Sequence, residues 1–500
     1  MEIDMTELQK QDGINESERY LAELCNKTFL NLWSYPNVYT DEGKKSVNGD
    51  GKELCDLLVV FDNHVIIFSD KDIGFKDTGN INVDWGRWVK KAVIKSASQL
   101  YGAESSIKER PGRLFLDKKC TIPFPHEIPT IDKIKIHRIA VAKNASQRFS
   151  KLVDGSGSLI VDPSISGDEH FEHPFTVGHP IANKDFVHVF DDVALDIILS
   201  ELDTISDFVD YIEKKEKFIN SGLLGSAAGE EEILAHYLMS SQPGREPGFY
   251  IEDNQKAYIL EGHYNSLISL PQYKRGKEED KVSYFWDGFI EHFGKHALAG
   301  TLIYDRETLL SDAILGLKLM ASERRVARRV LSKSIIEKVT SSDPGARAVR
   351  VMVSPTSSNN GYVWLLVPIP PQAEDYEAYR KYRQELLRIY CTSTKLLYPS
   401  LDFVVGIATE PRNGSGGEDM VYLDTTSWTE EDYENAKNDR EQFNIFQPDR
   451  LQEFSAREYQ YPVMPGDFPM EKKQSANSRQ PKKSARKQQR KARKLNRKNK

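Results

Sequence analysis

Cysteine is scarce in this 500-residue chain: Cys25, Cys55, Cys120 and Cys391 lie far apart, and no C-x-x-C pair occurs. That excludes a disulfide framework and a zinc knuckle, and it fits a reducing compartment. No apolar run approaches the roughly 18 residues that a membrane span requires. The opening stretch "MEIDMTELQKQDG" is acidic and lacks the apolar segment of a secretory leader. The expectation is a soluble, cytoplasmic protein without a membrane partner. Glycine loops such as "GSGSL" and "NGSGGED" lack the Lys-Ser/Thr that completes a phosphate-binding loop, and no G-x-S-x-G elbow occurs. Phosphate-loop and serine-hydrolase chemistry have no support.

What is present is an ordinary globular composition, 39% hydrophobic and 29% charged, so most of the chain is expected to fold. Five hundred residues exceed one ordinary core and suggest several domains. Charge is unevenly placed. Residues 471–500 hold fourteen Lys or Arg and one acid, Glu471, a formal +13. Because the whole chain is −7, residues 1–470 carry −20. The segment 466–500 has almost no apolar residues and is expected to be a disordered basic tail. Without aromatics to stack on bases, residues 471–500 would attract DNA or RNA through charge alone, with steep salt dependence. The other reading of the tail is a counter-charge for the acidic body.

Residues 15–33 have Glu18, Leu21, Cys25, Thr28, Phe29 and Leu32 on one helical stripe, with Asn15 as cap. Leu57–Phe61 and Val65–Phe68 are strand-length apolar runs joined by Asp62-Asn63-His64, which predicts a hairpin. A helix is expected over 84–109 and a strand over 133–142. The N-terminal part therefore reads as an α/β layer. After a Gly/Ser/Asp-rich stretch, "FVHVF" and a helical region over 191–219 form a strand/helix connector, 156–231. Strands at 349–353, 362–369 and 403–409, with a long helix before the last, suggest a separate α+β domain over 232–465.

The hairpin ends in charge. Asp56 opens its first strand; Ser69 and Lys71 share one face of the second, with Asp70 opposite, because side chains alternate along a strand. Glu18 and Gln99, from the flanking helices, can reach the same end of the sheet. Carboxylates with water hold Mg²⁺ through hard oxygen ligands, and a neighbouring lysine can orient water and stabilise charge on a phosphate.

The inward Glu18, "CDLLVVFDNHVIIFSDK" and the helix bearing "SQLYGAE" together resemble the PD-(D/E)xK, or restriction-endonuclease-like, nuclease superfamily over roughly residues 15–145, which implies a nuclease-like α/β domain over 1–155. The resemblance implies a mixed sheet flanked by helices and Mg²⁺- or Mn²⁺-dependent phosphodiester hydrolysis of nucleic acid. It implies a site in which Asp56, Asp70 and Glu18 bind metal, Lys71 is the catalytic lysine and Gln99 supports it. One position departs: the family has Asp or Glu two residues before the lysine, and this chain has Ser69. Asp70 could replace that acid if a bulge turned it inward, Glu18 could move into the gap, and Glu53 is a further acid upstream. The alternative is an inactive nuclease fold that binds nucleic acid or a protein.

Two other clusters stand out. His292 and His296 are four apart on an expected helix, a metal-ligand spacing, but no third ligand is evident in sequence, which favours ordinary histidines. Arg324, Arg325, Arg328 and Arg329 could bind phosphate, while salt bridges to the acidic body are the simpler reading.

Overall fold

The computed structural model describes residues 10–44, 46, 49–153, 155–242, 245–251, 255–299, 310–370, 375–411 and 417–464. The basic tail expected over 466–500 lies outside the described residues.

Helix α1, Glu16–Phe29, starts where the Asn15 side chain accepts the Glu18 N–H, and buries Leu21, Ala22, Cys25 and Phe29. Strand β1, Ser34–Thr40, pairs antiparallel with β2, Lys52–Phe61. A two-residue turn leads to β3, His64–Lys71, in which Phe61 opposes His64 and Leu57 opposes Phe68. Both strands of this hairpin are buried on both faces, which is why they read as apolar runs without alternation. Helix α2, Ile81–Val89, passes through a π-helical stretch into α3, Lys95–Glu109. Strand β4, Leu114–Phe115, adds to β1, and β5, Lys135–Ala142, lies parallel to β3.

Helix α4, Ser146–Ser150, precedes β6, Ile160–Ser166, β7, Thr176–His179, and β8, His188–Phe190. The helical region expected over 191–219 is two helices, α5, Ala194–Glu201, and α6, Ile205–Asn220. The break is local: Thr204 takes an extended conformation and its hydroxyl accepts the Asp207 N–H, starting a new helix. Strand β9, Leu224–Ala227, helix α7, Glu230–Met239, and β10, Ala257–Ile259, follow.

The first sheet runs β4-β1-β2-β3-β5-β8, so β8 carries it past residue 155; the second runs β10-β9-β6-β7. Helices α8, His263–Ser269, α9, Pro271–Asp280, α10, Tyr284–Leu298, α11, Leu310–Ala321, and α12, Arg325–Ser341, come next.

The third sheet is built from β11, Ala348–Val353, β12, Asn360–Leu366, helix α13, Tyr376–Leu397, β13, Phe403–Thr409, and β14, Glu418–Asp424; helix α14, Glu430–Gln442, follows. Its order is β11-β12-β13-β14. Strand β12 shows how the units are joined. Tyr362, Trp364 and Leu366 enter the core that also holds Phe29, Phe68 and Trp286, whereas Val363, Leu365 and Val367 face a second core with Leu386, Leu387 and Val404. The expected boundary near 232 is therefore crossed by one continuous core.

The arginine cluster on α12 is a structural ion-pair network. Arg328 and Arg329 have fully buried side chains. Asp287 pairs with Arg325 at 2.8 Å and Arg328 at 2.6 Å, and Asp280 with Arg329 at 2.5 Å. Among the described residues, no helix is long and apolar enough to cross a membrane.

Candidate active site

Asp56 and Lys71 meet on one face of the hairpin, with Lys71 Nζ 3.3 Å from Asp56 Oδ2. The Asp56 and Lys71 side chains are 11% and 20% exposed, so the ion pair is largely shielded yet open at one side. The same Asp56 oxygen accepts the Asp70 main-chain N–H, tying the carboxylate to the end of β3. On this face Ser69 Oγ lies 3.5 Å from both Gln99 Oε1 and Ser96 Oγ of α3. Asp56, Ser69 and Gln99 line a cleft of about 390 Å³ between β2 and α3, with Lys52 and Lys95 also in its walls.

A bulge adds an acid. The β1–β2 register passes from Val38↔Cys55 to Tyr39↔Glu53, which leaves Leu54 as an extra residue on β2. The alternation shifts there, and Glu53 lines the same cleft as Asp56. Partial burial and the carboxylates of Asp56 and Glu18 push the Glu53 carboxyl up to about 7, against the opposing pull of Lys71. Glu53 is the residue that sequence reasoning left at the margin, since strict two-residue alternation turns it away from Asp56.

Asp70 points to the other face. Strand β3 pairs regularly with β5 from His64 to Lys71, so no bulge turns Asp70 inward. There its buried carboxylate accepts a hydrogen bond from Ser17 Oγ, and Lys143 Nζ donates to Ser17 Oγ at 2.6 Å. Burial raises the Asp70 carboxyl above its ordinary range, while Ser17 and Lys143 pull it down. The expected set of Asp56, Asp70, Glu18, Lys71 and Gln99 is thus divided: Asp56, Lys71 and Gln99 share the cleft side, and Asp70 packs under α1.

Glu18 is not part of the cleft wall. Its carboxylate accepts the Ile14 N–H at 2.8 Å and the Asn15 side-chain amide at 2.5 Å, capping its own helix. Its charge acts on Glu53 in the cleft and on Asp70 at the other face of the sheet.

Among the described residues, no group of three or more His, Cys, Asp or Glu is arranged to hold a metal ion by itself. The donor set fits a different mode. Mg²⁺ keeps several waters and commonly rests on one or two carboxylates plus substrate phosphate oxygens. Asp56, with Glu53 lining the same cleft, matches that hard oxygen chemistry. Away from this site, His292 on α10 has Glu418 of β14 at 3.3 Å, a partner supplied from far along the chain.

Comparison with known proteins returns nothing: no family model, no curated protein and no solved structure matches the chain.

Proposed function

We propose that the cleft between β2 and α3 hydrolyses phosphodiester bonds of nucleic acid with Mg²⁺ or Mn²⁺, as the restriction-endonuclease-like resemblance implies. One observation carries the proposal: Lys71 Nζ lies 3.3 Å from Asp56 Oδ2 on the cleft side of the hairpin. The mixed sheet, with α1 and α3 packed against its strands, supports the same reading.

Asp56 with Glu53 would hold the cation, which supplies Lewis acidity to the phosphate and a more acidic bound water. Asp56 accepts from both Lys71 and the Asp70 main chain, so its free lone pairs are aimed rather than mobile. The Lys71 ammonium offers fixed positive charge where charge builds on a phosphate oxygen, worth on the order of 3 kcal/mol in a water-poor site. Gln99 and Ser69 provide neutral hydrogen-bonding groups beside it. Lys52 and Lys95 at the rim attract the phosphate backbone without reading sequence.

The test is incubation of plasmid DNA and of RNA with Mg²⁺ or Mn²⁺, comparing the native chain with Lys71→Ala and Asp56→Ala. Metal-dependent cleavage that both substitutions abolish is expected. A second reading, a nuclease fold that binds without cutting, draws on Ser69, a neutral group where the family carries an acid. It predicts no cleavage by any of the three proteins, with salt-sensitive retention of nucleic acid by all.

A further inference from the structure

The described chain ends in an extended segment anchored at few points. From residue 451 to 459 it has no regular secondary structure, and residues 451–457 are exposed, with Phe454 67% accessible. It then seats on α9 and α12. Glu458 Oε1 lies 2.6 Å from Lys333 Nζ and its Oε2 3.5 Å from Arg329 Nη1. Arg329 Nη1 donates to the Tyr459 carbonyl at 3.1 Å, and Arg275 Nη2 to the Pro462 carbonyl at 2.9 Å. Tyr461 packs against the main core, its ring 5.8 Å from that of Tyr273. Beyond Pro462 the chain is exposed again, with Met464 55% accessible.

The receiving surface is built without this segment. Arg329 is already held by Asp280 at 2.5 Å and donates to the Gly276 carbonyl. Gly276 leaves room for the visitor: a Cβ there would stand 2.5 Å from the Gln460 carbonyl oxygen. The recognition is that of an extended peptide, with arginines reading main-chain carbonyls, one basic seat for an acid and one aromatic seat three residues later. Such contacts, flanked on both sides by exposed chain, belong to the readily opened end of local stability.

We propose that the α9–α12 groove is a peptide-binding site whose resident ligand is the chain's own segment Glu458–Pro462, held reversibly. Its consequence is positional. With Pro462 seated, the sequence after it starts at the groove; released back to about residue 450, Pro462 itself can travel on the order of 40 Å. The groove therefore sets where the sequence that carries the fourteen cations begins.

The test uses a fluorescent peptide of residues 455–464, which excludes the basic run, and the full-length protein. The native chain is compared with one carrying Glu458→Lys and Tyr461→Ala, which empties its own groove. The peptide is expected to bind the variant at least about tenfold more tightly than the native chain, a difference of ~1.4 kcal/mol. A peptide with the same two substitutions should bind neither. No binding to the variant, or equal binding to both proteins, overturns the proposal. Should the variant fail to fold, a protease site engineered between Glu453 and Ser455 of a chain shortened to end at Met464 answers the same question. After cleavage the short fragment should co-elute with the body at low salt and leave at high salt; its immediate loss at low salt overturns the proposal. A dimer that excess peptide dissolves would place the segment in a second copy's groove and overturn the intramolecular assignment.

Discussion

Asp56 and Asp70, fourteen residues apart, are joined through the main chain of one and the side chain of the other: the Asp70 N–H donates to Asp56 Oδ2. The two carboxylates nevertheless serve opposite faces of the sheet. Asp56 turns to Lys71 and the cleft, and Asp70 turns to Ser17.

The two acids should therefore differ sharply on substitution. Asp56→Asn is expected to remove metal-dependent cleavage, by two to three orders of magnitude or roughly 3–4 kcal/mol of transition-state stabilisation. Asp70→Asn should leave it within about tenfold, ~1.4 kcal/mol, because Asn still offers an oxygen to Ser17 and the main-chain N–H is untouched. Single-turnover cleavage rates measure both. Equal loss in the two variants would mean that Asp70 acts in the cleft.

Glu53 should govern cation affinity. Its carboxyl, raised to about 7, must lose a proton to bind a cation, so the Mg²⁺ requirement falls as pH rises through that value. Glu53→Gln is expected to raise the Mg²⁺ concentration for half-maximal cleavage by about tenfold and to flatten this pH dependence. Titrations of Mg²⁺ on either side of neutrality read the effect, and an unchanged pH dependence would remove Glu53 from the site.

Asp287 should be a stability residue with no direct part in the chemistry. It is the shared acid of Arg325 and Arg328, the latter with a fully buried side chain. Asp287→Ala takes the ion-pair partner from the buried Arg328 guanidinium and one of two acids from Arg325, which keeps Asp203 at 2.9 Å, and is expected to cost about 3–5 kcal/mol of folding stability. Denaturant unfolding measures this; a loss below about 1 kcal/mol would show that water reaches the pair.

His64 should report on acid sensitivity. It hydrogen-bonds His137 at 3.0 Å, and His137 in turn meets Glu216 at 2.9 Å. Burial, then the neighbouring His137, lowers His64 to about 4. A folded value below the ordinary 6.5 means that the unfolded chain binds the extra proton. Its stabilising contribution is therefore whole above 6.5 and is lost as pH falls toward about 4. The gap in melting temperature between the native chain and His64→Gln should be widest near pH 7.5, roughly one unit above the ordinary value, and close on acidification. A gap that grows in acid would reverse the assigned direction.

Much of the site was legible because it is local. Asn15 caps α1 as its side chain suggests, and Lys71 stands by Asp56 because a tight turn fixes the register of a hairpin. Strand β1 was harder to see: Pro36 and Asn37, the latter at φ 51°, interrupt the pattern that marks a strand, though every residue of β1 is buried. The acidic partner of His292 was equally hidden, since Glu418 comes from a strand more than a hundred residues later.

The sequence by itself determined the hairpin, its flanking helices, the acidic body and the cationic C-terminal run, because side-chain periodicity and charge are properties of neighbours along the chain. Only the tertiary structure decided which acids share the cleft. The bulge that recruits Glu53 depends on pairing with β1, and the orientation of Asp70 is fixed by Lys143 and Ser17, which come from opposite ends of the N-terminal unit. It also decided that the α12 arginines are internal. A buried cation needs partners supplied in space, and Asp203, Asp280 and Asp287 reach them from three other parts of the chain.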